Sequence, residues 1–292
     1  MWKPVVAVCA AAVSFAAVAA PTFESITLGA AEDLTLFNMG ATTFSASNGS
    51  TLFQGNIGLA AGSMTNVSGG GTLTGTLYVD PGATLQSNFY SQFNVNGGTV
   101  VTSLAQARAD VIGASANAAL LTPTQTWSGN LTEGTTFTSS GDFNVINILG
   151  DITVTTSSKN VIFSGDLDDH FIVNVFGSIT VSNGSIGVIG GLAADHLLIN
   201  VLGSGEVVTL TNGTSSLYGT YLDVNGKITL APGTVYGSIM ANQIKTSSGP
   251  SVFGDTYTPP IPEPETYALL LAGLGMLGFV ARRRKRPAAQ DR

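Results

Sequence analysis

Three segments of the chain align without a gap. They are Asp142-Phe-Asn-Val-Ile-Asn147-Ile-Leu-Gly150, Asp169-His-Phe-Ile-Val-Asn174-Val-Phe-Gly177 and Asp195-His-Leu-Leu-Ile-Asn200-Val-Leu-Gly203, at offsets of 27 and 26 residues. A second phrase follows the closing glycine in Gly150-Asp-Ile-Thr-Val154 and Gly177-Ser-Ile-Thr-Val181 and returns in Gly226-Lys-Ile-Thr-Leu230. Repetition at this period marks a solenoid, in which units stack because none can bury its apolar face alone. Short β-branched runs broken by Gly, Asn and Ser make the units strands rather than helices. The expected architecture is all-β, a β-helix with about three short strands per coil.

One stretch departs from this pattern. Leu104 to Leu121 is Ala-rich, with Val111, Ala114, Ala118 and Leu121 at helical spacing, Ser103 and Gln106 placed as a capping box, and Pro123 as a stop. A single helix in a strand solenoid is expected to lie along its side on the Val111 face, leaving Arg108 and Ser115 to solvent.

Only 10% of the 292 residues are charged, against ~25% in ordinary soluble domains. Six of the 11 cations lie at Arg282, Arg283, Arg284, Lys285, Arg286 and Arg292, and Lys3 stands at the other end. Between Pro21 and Ile261 four cations, Arg108, Lys159, Lys227 and Lys245, face 15 acids, a net charge of −11. Such a body repels phosphate backbones, which excludes nucleic acid as a partner.

The two ends read as addresses. Residues 1–19 have the form of a secretory signal peptide: Lys3, an apolar run from Val5 to Val18, and Ala17-Val18-Ala19 as the cleavage signal. That makes signal peptidase a partner and removes Cys9, the single cysteine, so neither a disulfide nor a thiol belongs to the mature chemistry. After the expected solenoid domain, 20–257, comes a Pro-rich linker, 258–265, which Pro residues hold extended. Residues 266–281 are uncharged and read as a transmembrane helix of ~24 Å, which arginine snorkelling and Tyr267 extend towards the ~30 Å hydrocarbon core. Residues 282–292 then form a basic cytoplasmic tail, with the large domain outside.

Pro262-Glu263-Pro264, the short Leu/Gly-rich segment and Arg282, Arg283 and Arg284, in that order at a chain end, resemble the PEP-CTERM sorting signal. The resemblance implies a Gram-negative bacterium that makes exopolysaccharide, with an exosortase as the partner that recognises Pro262-Glu263-Pro264 and processes the chain. It says where the protein goes and nothing of what its body does. A second resemblance covers the body. Ile26-Thr-Leu-Gly-Ala-Ala-Glu-Asp-Leu34, Gly55-Asn-Ile-Gly-Leu59, the helix at Gln106-Ala-Arg-Ala-Asp110, and the strands His170 to Val181 and Leu197 to Ala241 resemble, in that order, the ice-binding-like β-solenoid domain. It implies a right-handed parallel β-helix of triangular section with one α-helix packed alongside.

Three constellations are candidates for chemistry. Asp166, Asp168, Asp169 and His170 form the densest polar cluster. It reads as a Ca²⁺ site through oxygen ligands, as the paired carboxylates of a glycosidase, or as a solvated acidic turn. His170 and His196 share one register in successive repeats, either as transition-metal ligands or as a structural ladder. Asn147, Asn174 and Asn200 invite the ladder reading too. Thr-x-Thr pairs at Thr72, Thr74 and Thr76, at Thr153 and Thr155, and at Thr209 and Thr211 place hydroxyls ~6.7 Å apart on one strand face, as an ice-facing grid or as ordinary solvent-side strand residues. The pairs show no single register across repeats.

The leading functional reading is an exported, non-enzymatic surface or matrix protein among exopolysaccharide, without a cofactor unless Ca²⁺ binds. An ice-binding protein comes second and a polysaccharide-active enzyme third. Regular outward Thr ranks on a flat face would favour ice, two carboxylates converging in a groove the enzyme, and a featureless polar face the matrix protein.

Overall fold

The computed structural model describes residues 21–47, 51–203, 205–254, 256–260, 272–274 and 276–277. The described strands pair in parallel and wind into a β-solenoid with three faces. One coil shows the plan: Phe143–Ile148 lies on the first face, Ile152–Val154 on the second and Val161–Ser164 on the third. The alternation of buried and half-exposed residues in the last two strands fits a sheet with one wet side. Inward ladders of Ile146, Val173, Ile199, Tyr221, Ile239 and Leu36 fill the interior, each fully buried. Like residues stack on like, as when Phe137 lies on Phe163 at 5.5 Å and 15°.

The closing glycines Gly150 and Gly177 are required by close approach at a corner. A Cβ on Gly177 would sit 2.7 Å from the Gly150 carbonyl, a separation real side chains do not reach. At another corner Gly237 takes φ 142° and passes against the Gly219 carbonyl, where any side chain would collide.

Stacking order does not follow chain order. The ten strands of the first face run Gln125–Trp127, Phe143–Ile148, His170–Val175, Leu197–Val201, the starts of Thr220–Leu230 and Ile239–Ser247, and then Leu34–Asn38, Asn56–Leu59, Leu77–Val79 and Thr99–Val101. The chain therefore enters in the middle, winds to one end, crosses to the other end, and winds back until Ile239 pairs with Leu36. Ten strands leave nine steps of ~4.8 Å, about 43 Å to cross. The helix Ala105–Leu120 covers ~24 Å of that, and its extended flanks cover the rest.

The helix docks as its spacing requires, with Val111, Ala114, Ala118 and Leu121 buried over Val145, Ile172, Leu198, Leu222 and Met240 in a second core outside the coils. Two expectations fail. Ser115 is buried rather than wet, because its hydroxyl donates to Asn200 Oδ1 at 2.6 Å. The Ser103–Gln106 capping box does not form. Asp80, from the preceding coil, accepts the Leu104 N–H at 2.9 Å and also the Gly82 N–H, bonds that hold its carboxyl below the usual range. Gln106 instead donates to Asp110, whose other oxygen accepts the Ala30 N–H.

The signal segment 1–19, the motif Pro262-Glu263-Pro264 and Arg282, Arg283 and Arg284 lie outside the described residues. Of the expected membrane segment 266–281, residues 272–274 and 276–277 are helical, and no described helix is long and apolar enough to cross a membrane.

Candidate functional surfaces

The first face is closed by the helix, and its polar residues are spent beneath it. Asn147, Asn174 and Asn200 are in register. Asn174 Nδ2 donates to Asn147 Oδ1 at 3.1 Å and to the Ala118 carbonyl at 2.9 Å. Asn200 Nδ2 donates to Asn174 Oδ1 at 2.9 Å and to the Ser115 carbonyl at 3.0 Å. Amides serve here because each supplies two donors and one acceptor, enough to reach the next coil and the helix together.

The second face is open and carries the rank that the sequence reading missed. Thr153 pairs with Thr180, Thr180 with Thr209, and Thr209 with Thr229, so four threonines occupy one register in four consecutive coils. Thr153, Thr180 and Thr229 are half-buried between fully inward neighbours, which turns them outward. The rank continues as Lys245, Ser45 and Asn66. Beside it Thr155, Ser182, Thr211 and Ala231 follow at the ends of the same strands. Lys227 lies one coil from Lys245, so two of the four body cations share this face. Of the other two, Lys159 pairs with Glu133 at 2.8 Å and Arg108 stands exposed on the helix.

The third face is bulkier. Ser216, Thr234 and Ser251 form a small-hydroxyl rank in register. Alongside, Tyr218 stacks on Tyr236 at 4.7 Å and 27°, with Phe253 beyond at 6.2 Å. The rings cover one another's faces and offer edges outward, leaving no flat platform. The expected threonine set is divided between faces. Thr72 and Thr74 belong to the third face near one end, with the Thr74 hydroxyl donating to the Phe53 carbonyl, and Thr76 sits at the adjoining corner. Thr153 and Thr155, with Thr209 and Thr211, belong to the second face.

The acidic turn is held internally. Asp169 Oδ2 accepts the Asp166 N–H at 2.7 Å, while Asp166 and Asp168 are exposed. Among the described residues no group of three or more His, Cys, Asp or Glu is arranged to hold a metal ion. His170 and His196 stack with centroids 4.0 Å apart and planes 24° from parallel. Lone pairs lie in the ring planes, so near-parallel rings direct them side by side and cannot converge on one ion. Burial, then the neighbouring His196, pushes His170 down to about 4. The pair lines a cavity of about 320 Å³ with Asp142, Phe143, Asp168 and Thr258 to Pro260, without a Lys or Arg to hold an acidic sugar. Asp223 is a further buried acid that the sequence reading passed over. It lies in register with Ala241 of the next coil, and burial, opposed only by the Gly226 backbone N–H, pushes it up to about 7.

Residues 21–251 match the family model of the ice-binding-like adhesive domain. The chain belongs to that family. Residues 260–285 match the PEP-CTERM protein-sorting motif, which marks this ice-binding-like chain for export to the cell surface. The domain is similar to a solved ice-binding protein of the Antarctic ascomycete Antarctomyces psychrotrophicus, with TM-score 0.56 and 17% identity over 80% of this chain and 98% of that one. It is also similar to an ice-binding protein of an Arctic yeast (TM-score 0.54, 15% identity, 83% and 98% covered) and to an ice-binding protein domain of Shewanella frigidimarina (0.54, 17%, 82% and 99%). At these identities the likeness is one of fold. No curated protein sequence matches the chain.

Proposed function

We propose that the protein is an exported, exosortase-processed cell-surface or extracellular-matrix protein whose solenoid is non-enzymatic and adheres to exopolysaccharide through its second face. The carrying observation is the open rank of Thr153, Thr180, Thr209 and Thr229 running into Lys245, Ser45 and Asn66. Hydroxyls, an amide and a cation at strand spacing offer donors and acceptors along a line, the chemistry a chain of sugar hydroxyls can meet. The reading calls for no cofactor. Signal peptidase and the exosortase act as its processing partners, and the segment 266–281 as its transient membrane anchor.

A second reading, ice binding, is favoured by the four-threonine register itself. The mixture of Lys, Asn, Ser and Ala in and beside the rank weighs against it, because it interrupts the hydroxyl repeat that a regular lattice would meet. Electrophoresis of the full chain through gels with and without the host's exopolysaccharide, beside an ice-recrystallisation assay, decides between them. Retardation without inhibition of recrystallisation is expected; inhibition without retardation would replace the first reading with the second.

A further inference from the structure

On the first face one register line passes unbroken through all ten strands, from Gln125 at one end of the solenoid to Thr99 at the other. Two residues further along the same end strands stand Trp127, in register with Ile148, and Val101, in register with Val79. Ile148 and Val79 are buried in the interior, yet Val101 is 67% exposed and Trp127 only half-buried. Both are core positions that lack a next coil. Among the described strands Thr99–Val101 and Gln125–Trp127 each have one neighbour. Free strand edges are usually blunted by charge or proline, and terminal solenoid coils by a polar cap. Neither of these strands contains a charge or a proline, and residues 81–103 hold no charged side chain. Glu133, the one charge of residues 121–141, is paired with Lys159.

We infer that the two ends fit one another, so that the solenoid binds a second copy of this chain head to tail, with Trp127 of one copy seated on Val101 of the other. The backbone groups match. The Leu77 N–H donates to the Gly98 carbonyl and the Thr102 N–H to the Val79 carbonyl, each at 3.0 Å, so the alternate residues Thr99 and Val101 turn their N–H and C=O off the end. At the other end the Trp127 carbonyl accepts the Leu149 N–H at 3.0 Å, which leaves the groups of Thr126 outward. With Val101 opposite Trp127, the Val101 N–H meets the Thr126 carbonyl and the Thr126 N–H meets the Thr99 carbonyl, the parallel pattern that joins the coils of the body. The first face has one strand more than the third, and Tyr90 reaches across the level left empty to give its hydroxyl to Thr99 Oγ1 at 3.0 Å. Because the strands are parallel, the second copy is placed by a shift along the axis of ten strand steps, about 48 Å. Such a contact joins unlike ends and does not close, so copies continue into a filament. The inference is independent of what the second face binds.

Cysteines on the open side of the two end strands read the pairing, in the full chain with Cys9→Ser and held in detergent micelles. Val100 and Thr126 are both exposed, and the shared register sets their Cα atoms about 4.8 Å apart, within the span of a disulfide. A mixture of Val100→Cys and Thr126→Cys chains should give linked dimers on oxidation, a chain bearing both changes a ladder of multimers, and each single variant alone at most a tenth of the mixture's yield. Sedimentation of the unaltered chain should show association that rises with concentration. Val101→Lys should weaken it at least tenfold without moving the melting temperature, since that side chain is already open to solvent. Links that form as readily within a single variant, no links in the mixture, or association that Val101→Lys leaves unchanged would each overturn the head-to-tail contact.

Discussion

The first and second faces of the solenoid are built by the same device and put to opposite uses. Each carries a polar residue repeated coil after coil, asparagine at 147, 174 and 200 and threonine at 153, 180, 209 and 229. The asparagine rank is roofed by the helix, so its amides bond to one another and to helix carbonyls. Thr153 and Thr180 of the threonine rank have no roof and face solvent. The contrast teaches that a ladder in a solenoid becomes structural when something covers it and stays available for binding when nothing does.

The largest effect that sharpens this contrast is on stability. Val111→Asp places an unpaired carboxylate beneath the helix and should cost about 3–5 kcal/mol in urea denaturation, whereas Thr180→Asp on the open face should stay within about 0.5 kcal/mol. Equal costs would mean that the helix is not the roof described. Next comes Asp223, in the interior behind both faces. Its folded pKa of about 7 lies above the ordinary 3.8, so its contribution is fully present below pH 3.8 and is lost as pH rises through 7. Asp223→Asn should therefore stabilise the chain at pH 8 by up to about 4 kcal/mol and change little at pH 3.5. A thermal scan at the two pH values checks the sign. Smaller again, Asn174→Ala should cost about 1–3 kcal/mol, because the Asn147 and Asn200 amides and the Ala118 carbonyl each lose a partner under cover. A cost as small as that of Thr180→Ala would erase the distinction between the ranks.

The repeat from Asp142 to Gly203 was legible because its coils are successive in the chain and keep the Asp-to-Asn-to-Gly phrase. The coils of residues 34–101 lack that phrase, and the pairing of Ile239 with Leu36 joins segments about 200 residues apart without a local signal. Order of winding was therefore out of reach. The helix was legible from its apolar spacing, but Ser115 was not, since a hydroxyl facing an amide leaves no trace in a hydrophobic pattern. The threonine rank was present in Ile-Thr-Val154, Ile-Thr-Val181 and Ile-Thr-Leu230, one residue per repeat. Looking for pairs along a strand concealed a rank that runs across strands. Asp223 was hidden because it occupies a position where the neighbouring coil has Ala241.

The most direct test of the central claim compares the open faces. Thr153→Val with Thr180→Val removes two hydroxyls from the second face and keeps the branched shape, and Thr234→Val with Ser251→Ala does the same on the third. Retardation of the full chain in gels containing the host's exopolysaccharide should fall sharply for the first pair and remain unchanged for the second, both folding as the parent does. Equal loss in both pairs, or loss only in the second, would contradict the assignment of the threonine rank as the binding face.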